Sequence, residues 1–493
     1  MKTNEIKFLL SLGLATFYTV FFWESRRGVN VLVFSMLLLA ALYACYRASF
    51  KASAVRWLAG AVLLTGGAVV WHASLFSKWM HLISLIGFVG MVHQPRLRAV
   101  YGAFGAALES ALLSVVNYLE AWQQTGGRWV PRPGRLGYGV RLALIPVLLL
   151  VTFYLIYTQA NPKFAYVSAS VWGEIGTWFA TISWGRLLFF LTGLLLTTGA
   201  LFNRQLHHWL KRDAASDYLM RRRKKRLFST GMTGLREEYR MALGVLILLN
   251  TLLLAVNTID VYWVWFTFDY HDVRNLSQFV HEGTYLLIVS ILLAMGVVLW
   301  FFRGNLNFFR HNRMLKAAAA VWIVQNAILA LSVGVRNYHY IHEHALAYKR
   351  LGVIAFLVLV LFGLYTIWMK INEARSSAYL WRVNGWASLG LLVTISLLNW
   401  DGIIVRYNMT HSKPNELDME YLFTFSDKTL PILADHADLL QTDRYEYHEG
   451  VALNEPQRLQ MRVQDFLNEY ETRRWWEWNR ADAQAYRQLG RLE

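Results

Sequence analysis

An all-helical bundle that crosses a membrane about eleven times is the fold the sequence predicts, and composition, run length and the lack of alternation predict it. Hydrophobic residues fill 56% of the 493 positions and the mean hydropathy is +0.30, which is too apolar for a chain of soluble domains. Apolar runs of roughly 17 to 23 residues recur along the first four-fifths of the chain, the length a helix needs to cross about 30 Å of hydrocarbon. The runs are continuous in Leu, Ala, Val and Phe and do not alternate every second residue, so helices, not barrel strands, satisfy the backbone in lipid.

Spans are expected near 7–23, 29–46, 54–72, 76–93, 138–158, 184–202, 240–258, 284–302, 317–335, 351–371 and 384–399. The first opens with charge as a signal peptide does, but it ends in Tyr18, Thr19, Val20, Phe21, Phe22 and Trp23. Those residues are too bulky for cleavage, so a retained anchor is expected. Cys45 is the single cysteine and falls in the second run, which excludes an intrachain disulfide, a cysteine zinc site and an iron-sulfur cluster. The stretch 100–122 is flanked by Arg96 and Arg98 on one side and by Arg128, Arg132 and Arg135 on the other, and Glu109, Asn117 and Glu120 interrupt it. A crossing would export one basic cluster, so an amphipathic helix at the cytoplasmic interface is predicted. A second interfacial helix is expected on the outer side at 165–183, with Trp172, Glu174, Trp178 and Phe179.

Orientation follows from the basic residues of short loops, which stay in the cytoplasm. The loop 203–239 holds the run Arg221, Arg222, Arg223, Lys224, Lys225 and Arg226, with Lys211, Arg212 and Arg236 nearby. With this loop inside, span counting also places Arg47, Lys51 and Arg56, and Arg303, Arg310, Arg313 and Lys316, inside. The N-terminus is then inside and the C-terminus outside. Arg26 with Arg27, and Lys349 with Arg350, are discordant. Residues 1–400 form the expected transmembrane domain of a bacterial cytoplasmic (inner) membrane protein. Residues 401–493 form a small, mainly helical extracytoplasmic domain, acidic and rich in Tyr and Trp. Between 401 and 493 there are 17 acids and 11 bases, although the whole chain is +17. The juxtamembrane position of the basic run assigns it to anionic inner-leaflet lipids, not to nucleic acid.

Polar residues gather at the outer ends of the later spans: Asn257 and Asp260 close the seventh, and His271, His281 and Glu282 precede the eighth. Gln325 and Asn326 sit at mid-depth in the ninth span, where amides face a bundle interior or a wet cavity. The densest polar segment, Arg336 to His344, is followed by Tyr348, Lys349 and Arg350. His339, His342 and Glu343 there would suit zinc or copper if the loop folded around the ion, and equally suit an ordinary interface. No P-loop, GxSxG elbow, HExxH helix or dinucleotide fingerprint is present, and the cofactor stays unknown. His72, His81 and His93 offer no pairing for haem.

The segments LNTLLLAVNTIDVYWVW, HEGTYLLIVSILLAMGVVLWFFRGNLNFF and ALAYKRLGV, with NWDGIIVRYN and DMEYLFTFSDKTLPIL further on, resemble a bacterial multi-pass membrane-protein family known as a domain of unknown function. The likeness covers about 249–440. It implies an inner-membrane protein and points to Asn257, Asp260, Gly283, Thr284, Tyr285, Tyr348, Arg350, Asn399 and Asp401. Three functions stay open. In the first, a small polar or lipid-linked ligand is transported or handled through an outward-facing cavity lined by Asp260, Arg336, Arg350 and Asp401, with Gln325 and Asn326 deeper. In the second, an outer-leaflet enzyme uses Asp260 or Asp401 as base and Arg350 on phosphate. In the third, a sensor or assembly scaffold binds a protein partner through the outer C-terminal domain.

Overall fold

The computed structural model describes residues 3–118, 133–180, 183–203, 208–221, 235–267, 276–302, 304–411, 417–440, 445–448 and 451–491. Its first eight helices are α1 (Thr3–Phe22), α2 (Val29–Cys45), α3 (Ser53–His72), α4 (Leu75–His93), α5 (Val100–Leu112), α6 (Pro133–Ala160), α7 (Pro162–Ala180) and α8 (Trp184–Leu201). The short α9 (His208–Ala214) precedes α10 (Leu235–Asp260), α11 (Leu276–Phe301), α12 (Arg313–His344), α13 (Tyr348–Asn372) and α14 (Ser377–Ser396). The rest is α15 (Trp400–His411), α16 (Met419–Phe423), α17 (Leu430–Ala434), a hairpin of β1 (Tyr445–His448) and β2 (Val451–Asn454), α18 (Glu455–Glu471) and α19 (Arg480–Leu489).

Among the described residues, seven helices are long and apolar enough to cross a membrane, and an eighth is possible if α14 and α15, bent by 61° at their break, form one broken span. Val29–Cys45, Leu148–Ala160 and Tyr285–Phe301 are shorter apolar helices at further expected spans. The protein is a multi-pass membrane protein. Several expected boundaries shift. The run expected at 317–335 continues to His344, because neither proline nor glycine interrupts it after Gly334 and polar side chains at its end do not stop a helix. Ala345, at φ 64°, ends it. His339, His342 and Glu343 therefore lie on a helix and not in a loop. Likewise the expected 240–258 run starts at Leu235 and passes Asp260 into a π-helical turn, Val261–Phe266.

Three apolar cores organise the chain. The first joins α1 to α5 with α8 and, from far along the sequence, α14 through Leu389 and Val393. The second is built by α10 to α13, for example from Leu246, Ile291, Trp322 and Leu364. The third unites Ile404 and Val405 of α15 with Leu430, Leu433, Phe466 and Leu489, and includes Leu346 from the α12–α13 turn. In lipid, apolar burial does not drive helices together, so close packing and polar links must. In the first bundle the His81 ring bridges Ser35 Oγ at 2.9 Å and Thr65 Oγ1 at 3.2 Å, and His93 bonds Ala200 O at 2.7 Å and Ser110 Oγ at 3.1 Å. The span histidines thus act as interhelical links. Within the stretch 100–122, of which 119–122 lie outside the described residues, α5 is lodged on α4 and α8 with Ala103, Ala106 and Ser110 buried and Leu108 and Leu112 exposed.

Gly90 shows how tight that contact is: a Cβ there would lie 1.8 Å from Ala103 O. Gly90→Ala is expected to lower the thermal midpoint of the detergent-solubilised protein, at a cost of about 1–3 kcal/mol for overpacking. Gly60→Ala, where nothing lies within 4 Å, is expected to leave it unchanged or raise it.

The turns sort into two ends. At one end, residues 400–489 fold over the α1–α2, α3–α4 and α12–α13 turns. Val29 N–H donates to Trp478 O at 3.0 Å, and Lys428 Nζ donates to His72 O at 2.7 Å. Asn408 bonds both the N–H and the O of Leu346, at 2.7 and 3.0 Å. At the opposite end, Lys7 Nζ donates to the Tyr46 hydroxyl, which donates to Leu201 O, each at 2.8 Å.

Candidate functional site

α10 and α12 run side by side, and polar residues recur along their contact. Asn250 Nδ2 donates to Ala318 O at 3.0 Å and Gln325 Nε2 donates to Asn250 Oδ1 at 2.8 Å. Two turns on, Asn257 Nδ2 donates to Gln325 O at 3.0 Å. Asp260, three residues beyond Asn257 and so on the same helix face, accepts from Ser332 Oγ on one carboxylate oxygen and from Arg336 Nη2 on the other. The pair is buried, with side-chain exposures of 7% for Asp260 and 9% for Arg336. The π turn that follows brings Trp265 Nε1 to Ser332 Oγ at 3.2 Å and Val264 O to His339 Nε2 at 3.1 Å. Such turns widen a helix locally and recur at functional sites. Two acceptors on this seam, Asn257 Oδ1 and Gln325 Oε1, are buried without a hydrogen-bond partner. Asn326 turns away and donates to Trp322 O at 2.7 Å.

A second ionic cluster closes the end covered by residues 400–489. Asp401 heads α15 and is bound by Lys428 Nζ at 2.6 Å, by Ser426 Oγ at 2.7 Å and by the Tyr348 hydroxyl. Tyr348 starts α13, and its ring stacks on Phe425. Its N–H donates to Tyr421 Oη at 3.1 Å. Burial raises the Tyr421 phenol above its ordinary value, so the hydroxyl stays protonated there. This clasp links the second bundle, through Tyr348, to residues 400–489, and through Lys428 and His72 O to the first bundle.

A third cluster lies at the other end. Arg382 of α14 is fully buried and binds Asp213 Oδ1 at 3.0 Å, Asp213 O at 2.6 Å and Ser216 O at 2.8 Å. Asp213 Oδ2 accepts from Arg98 N–H at 2.7 Å. The next residues run as a strap along the α13–α14 turn, with Ser376 N–H on Tyr218 O and Met220 N–H on Ala374 O, both at 2.8 Å.

The structure brings together Asn257, Asp260, Gln325 and Arg336, and separately Tyr348 and Asp401. It does not bring Arg350 to Asp260: the Arg350 guanidinium donates to His344 O and Ala345 O and covers the Tyr340 ring at 4.3 Å. A cation on the last carbonyls of α12 is a C-terminal cap. His342 approaches Glu343 at 3.6 Å, while His339 is engaged with Val264 O. Among the described residues no group of three or more His, Cys, Asp and Glu side chains is placed to hold a metal. The side chain of His281 lies outside the described residues, as do His271 and Arg222, Arg223, Lys224, Lys225 and Arg226. Arg221 pairs with Asp217 at 2.7 Å.

Sequence reasoning missed Ser332, Lys428, Asp213 and Arg382. The signals were faint: Lys428 stands in an acidic segment, and Asp213 is an acid directly after Lys211 and Arg212. Arg26, discordant with the orientation expected from the sequence, has acidic partners. Arg26 lies 3.6 Å from Asp427 and pairs with Glu469, so acids of residues 400–489 neutralise it.

A family model described as Domain of unknown function (DUF4153) matches residues 10–436. The match extends the likeness seen in the sequence, which was confined to about 249–440, back into α1. No curated protein and no solved structure matches the chain.

Proposed function

The chain belongs to the DUF4153 family, and from that premise we propose that it handles a small polar or lipid-linked ligand in a bacterial cytoplasmic membrane, at the seam between α10 and α12. The observation that carries this reading is the pair of unpartnered amide oxygens, Asn257 Oδ1 and Gln325 Oε1, buried on the seam that ends in the Asp260–Arg336 pair. A buried acceptor without a donor costs about 1–3 kcal/mol, and polar groups retained at that depth mark ligand or ion paths. The N-terminus lies inside and residues 400–489 outside; the gathering of the α1–α2, α3–α4 and α12–α13 turns, the first, third and ninth between the expected spans, under those residues supports that orientation. The outer and inner clasps then hold the two bundles together at opposite faces of the membrane, and release of one clasp at a time would expose the seam to one side.

The test is a thermal-shift screen of the full-length protein in detergent against sugars, polyols, amino acids, nucleotides and soluble lipid headgroups. A ligand at a hundred times its Kd stabilises the folded state by about 2.7 kcal/mol. At least one class is expected to raise the midpoint of the wild type and to leave Asp260→Asn unmoved. If no class shifts the wild type, or both proteins shift alike, the seam is not the site.

The outer-leaflet enzyme remains as a second reading because one observation favours it: the Ser426 hydroxyl, on an exposed residue, donates to the buried Asp401 carboxylate. That arrangement pairs an accessible hydroxyl with a base. Turnover of a lipid-linked substrate that survives Ser426→Ala would remove it.

A further inference from the structure

We propose that the segment 473–480 is a lipid-binding element, which holds residues 400–489 to the membrane surface through the phosphate headgroups of anionic phospholipid. The run Arg473, Arg474, Trp475, Trp476, Glu477, Trp478, Asn479 and Arg480 stands out from the acidic chain after Asp401, with three bases and three tryptophans around one acid. The fold sets it against the ends of three consecutive apolar helices. Val29 N–H, at the start of α2, donates to Trp478 O at 3.0 Å. The Trp476 ring lies 6.0 Å from that of Phe21, at the end of α1, and the Arg480 guanidinium covers Trp71, in the last turn of α3, at 3.8 Å. Gly28 permits the approach, because a Cβ there would lie 2.4 Å from both Glu477 O and Trp478 O. Helices as long and apolar as α1 and α3 end where hydrocarbon gives way to headgroups, so the segment is fixed at that level.

Its side chains suit that level. Trp475 is 67% exposed, Trp71 57% and Trp478 40%, although indole gains much from burial. At a membrane surface the ring lies among the headgroups, its apolar body out of water and its N–H still bonded. The patch is continuous with the apolar faces of α1 and α3 that lipid covers, so lipid reaches it without any further partner.

Charge selects the headgroup. Arg26 and Arg473 pair with acids, Arg26 with Asp427 and Glu469, and Arg473 with Asp482 at 2.7 Å. Arg27, Arg474 and Arg480 form no ion pair among the described residues. Each lies instead over an aromatic ring: Phe22 at 4.8 Å, Trp476 at 5.4 Å and Trp71 at 3.8 Å. A guanidinium stacked on a ring keeps the N–H groups along its edge, and that fork grips phosphate. Arg27 spends one of them on Ser25 O at 3.1 Å. Three cations without acids at headgroup level favour an anionic lipid over a zwitterionic one.

The experiment follows hydrogen exchange of the peptide covering 473–480 in the full-length protein in neutral detergent, as phosphatidylglycerol, phosphatidylcholine or inorganic phosphate is titrated in. Reading this peptide keeps the basic run 221–226, which also attracts anionic lipid, out of the signal. Exchange is expected to slow to a plateau with phosphatidylglycerol and to change little with the other two. The double variant Arg474→Gln with Arg480→Gln is expected to need on the order of thirty-fold more phosphatidylglycerol for half the effect, equivalent to about 2 kcal/mol for two basic residues at a membrane surface. Trp475→Ala, which leaves the charge unchanged, is expected to weaken the response as well. Equal slowing by phosphatidylglycerol and phosphatidylcholine, or a wild-type response in the double variant, overturns the proposal. The same plateau with inorganic phosphate overturns it by assigning the arginines to a free anion. Slowing that follows protein concentration without added lipid overturns it by assigning the patch to a second copy of the chain.

Discussion

Asp401→Asn is expected to cost about 3–5 kcal/mol, because it removes the counter-charge of Lys428, whose side chain is 2% exposed, and breaking one side of a buried ion pair strands the other. His72 O would remain as an acceptor for Lys428, but a carbonyl does not replace a carboxylate. Tyr348 and Ser426 would also lose a charged acceptor. The effect is read as the thermal midpoint in detergent, and as protease sensitivity after Thr410, where residues 400–489 would detach from the turns beneath. Lys428→Met alone is expected to be harmful too. Asp401→Asn with Lys428→Met should recover a large part of the loss, since an apolar replacement of both partners is often tolerated. Additive losses in the double variant would mean that the two side chains act independently.

The second large effect is at the opposite end. Asp213→Ala strands Arg382, which is 1% exposed and fixed by Asp213 and Ser216, and is expected to cost about 3–5 kcal/mol by the same physics. Its signature differs from that of Asp401→Asn. The strap depends on the clasp, so hydrogen exchange should accelerate at Met220 and Ser376, whose N–H groups bond Ala374 O and Tyr218 O, while the amide of Val29, bonded to Trp478 O, stays protected. Uniform acceleration at both ends would show that Asp213 holds the whole bundle and not the strap.

The two clasps explain why the fold was more legible in the sequence than the site. Length and apolarity decide whether a run becomes a helix in lipid, and both are local properties. The runs at 54–72 and 76–93 accordingly became α3 and α4 with ends displaced by a residue. Where a helix ends is less local: α12 outran its apolar stretch because Arg350, six residues past its end, supplies the cap. Asp260 and Arg336 could be singled out because an ionisable group beside an apolar helix needs a partner. Their mutual contact follows from the parallel packing of α10 and α12. Lys428 and Arg382 gave no such signal. Lys428 stands among polar residues, and Arg382 just before the expected last span read as a flank. Lys428 is buried against Asp401 and His72 O, and Arg382 lies on α14, which packs into the first bundle while α13 stays in the second, crossings that no periodicity records. The earlier expectation that Arg350 would line a cavity with Asp260 failed in the structure for a related reason: the left-handed Ala345 turns the chain so that Arg350 meets the end of its own preceding helix.

The central claim is that the α10–α12 seam holds something other than the chain itself. Native mass spectrometry of the full-length protein, released gently from detergent, asks this most directly, with Gln325→Leu measured beside the wild type. The account predicts adduct mass on the wild type, from a bound ion or small molecule, that is lost in Gln325→Leu while both proteins remain folded. Bare chains in both samples, or the same adduct on both, would contradict it.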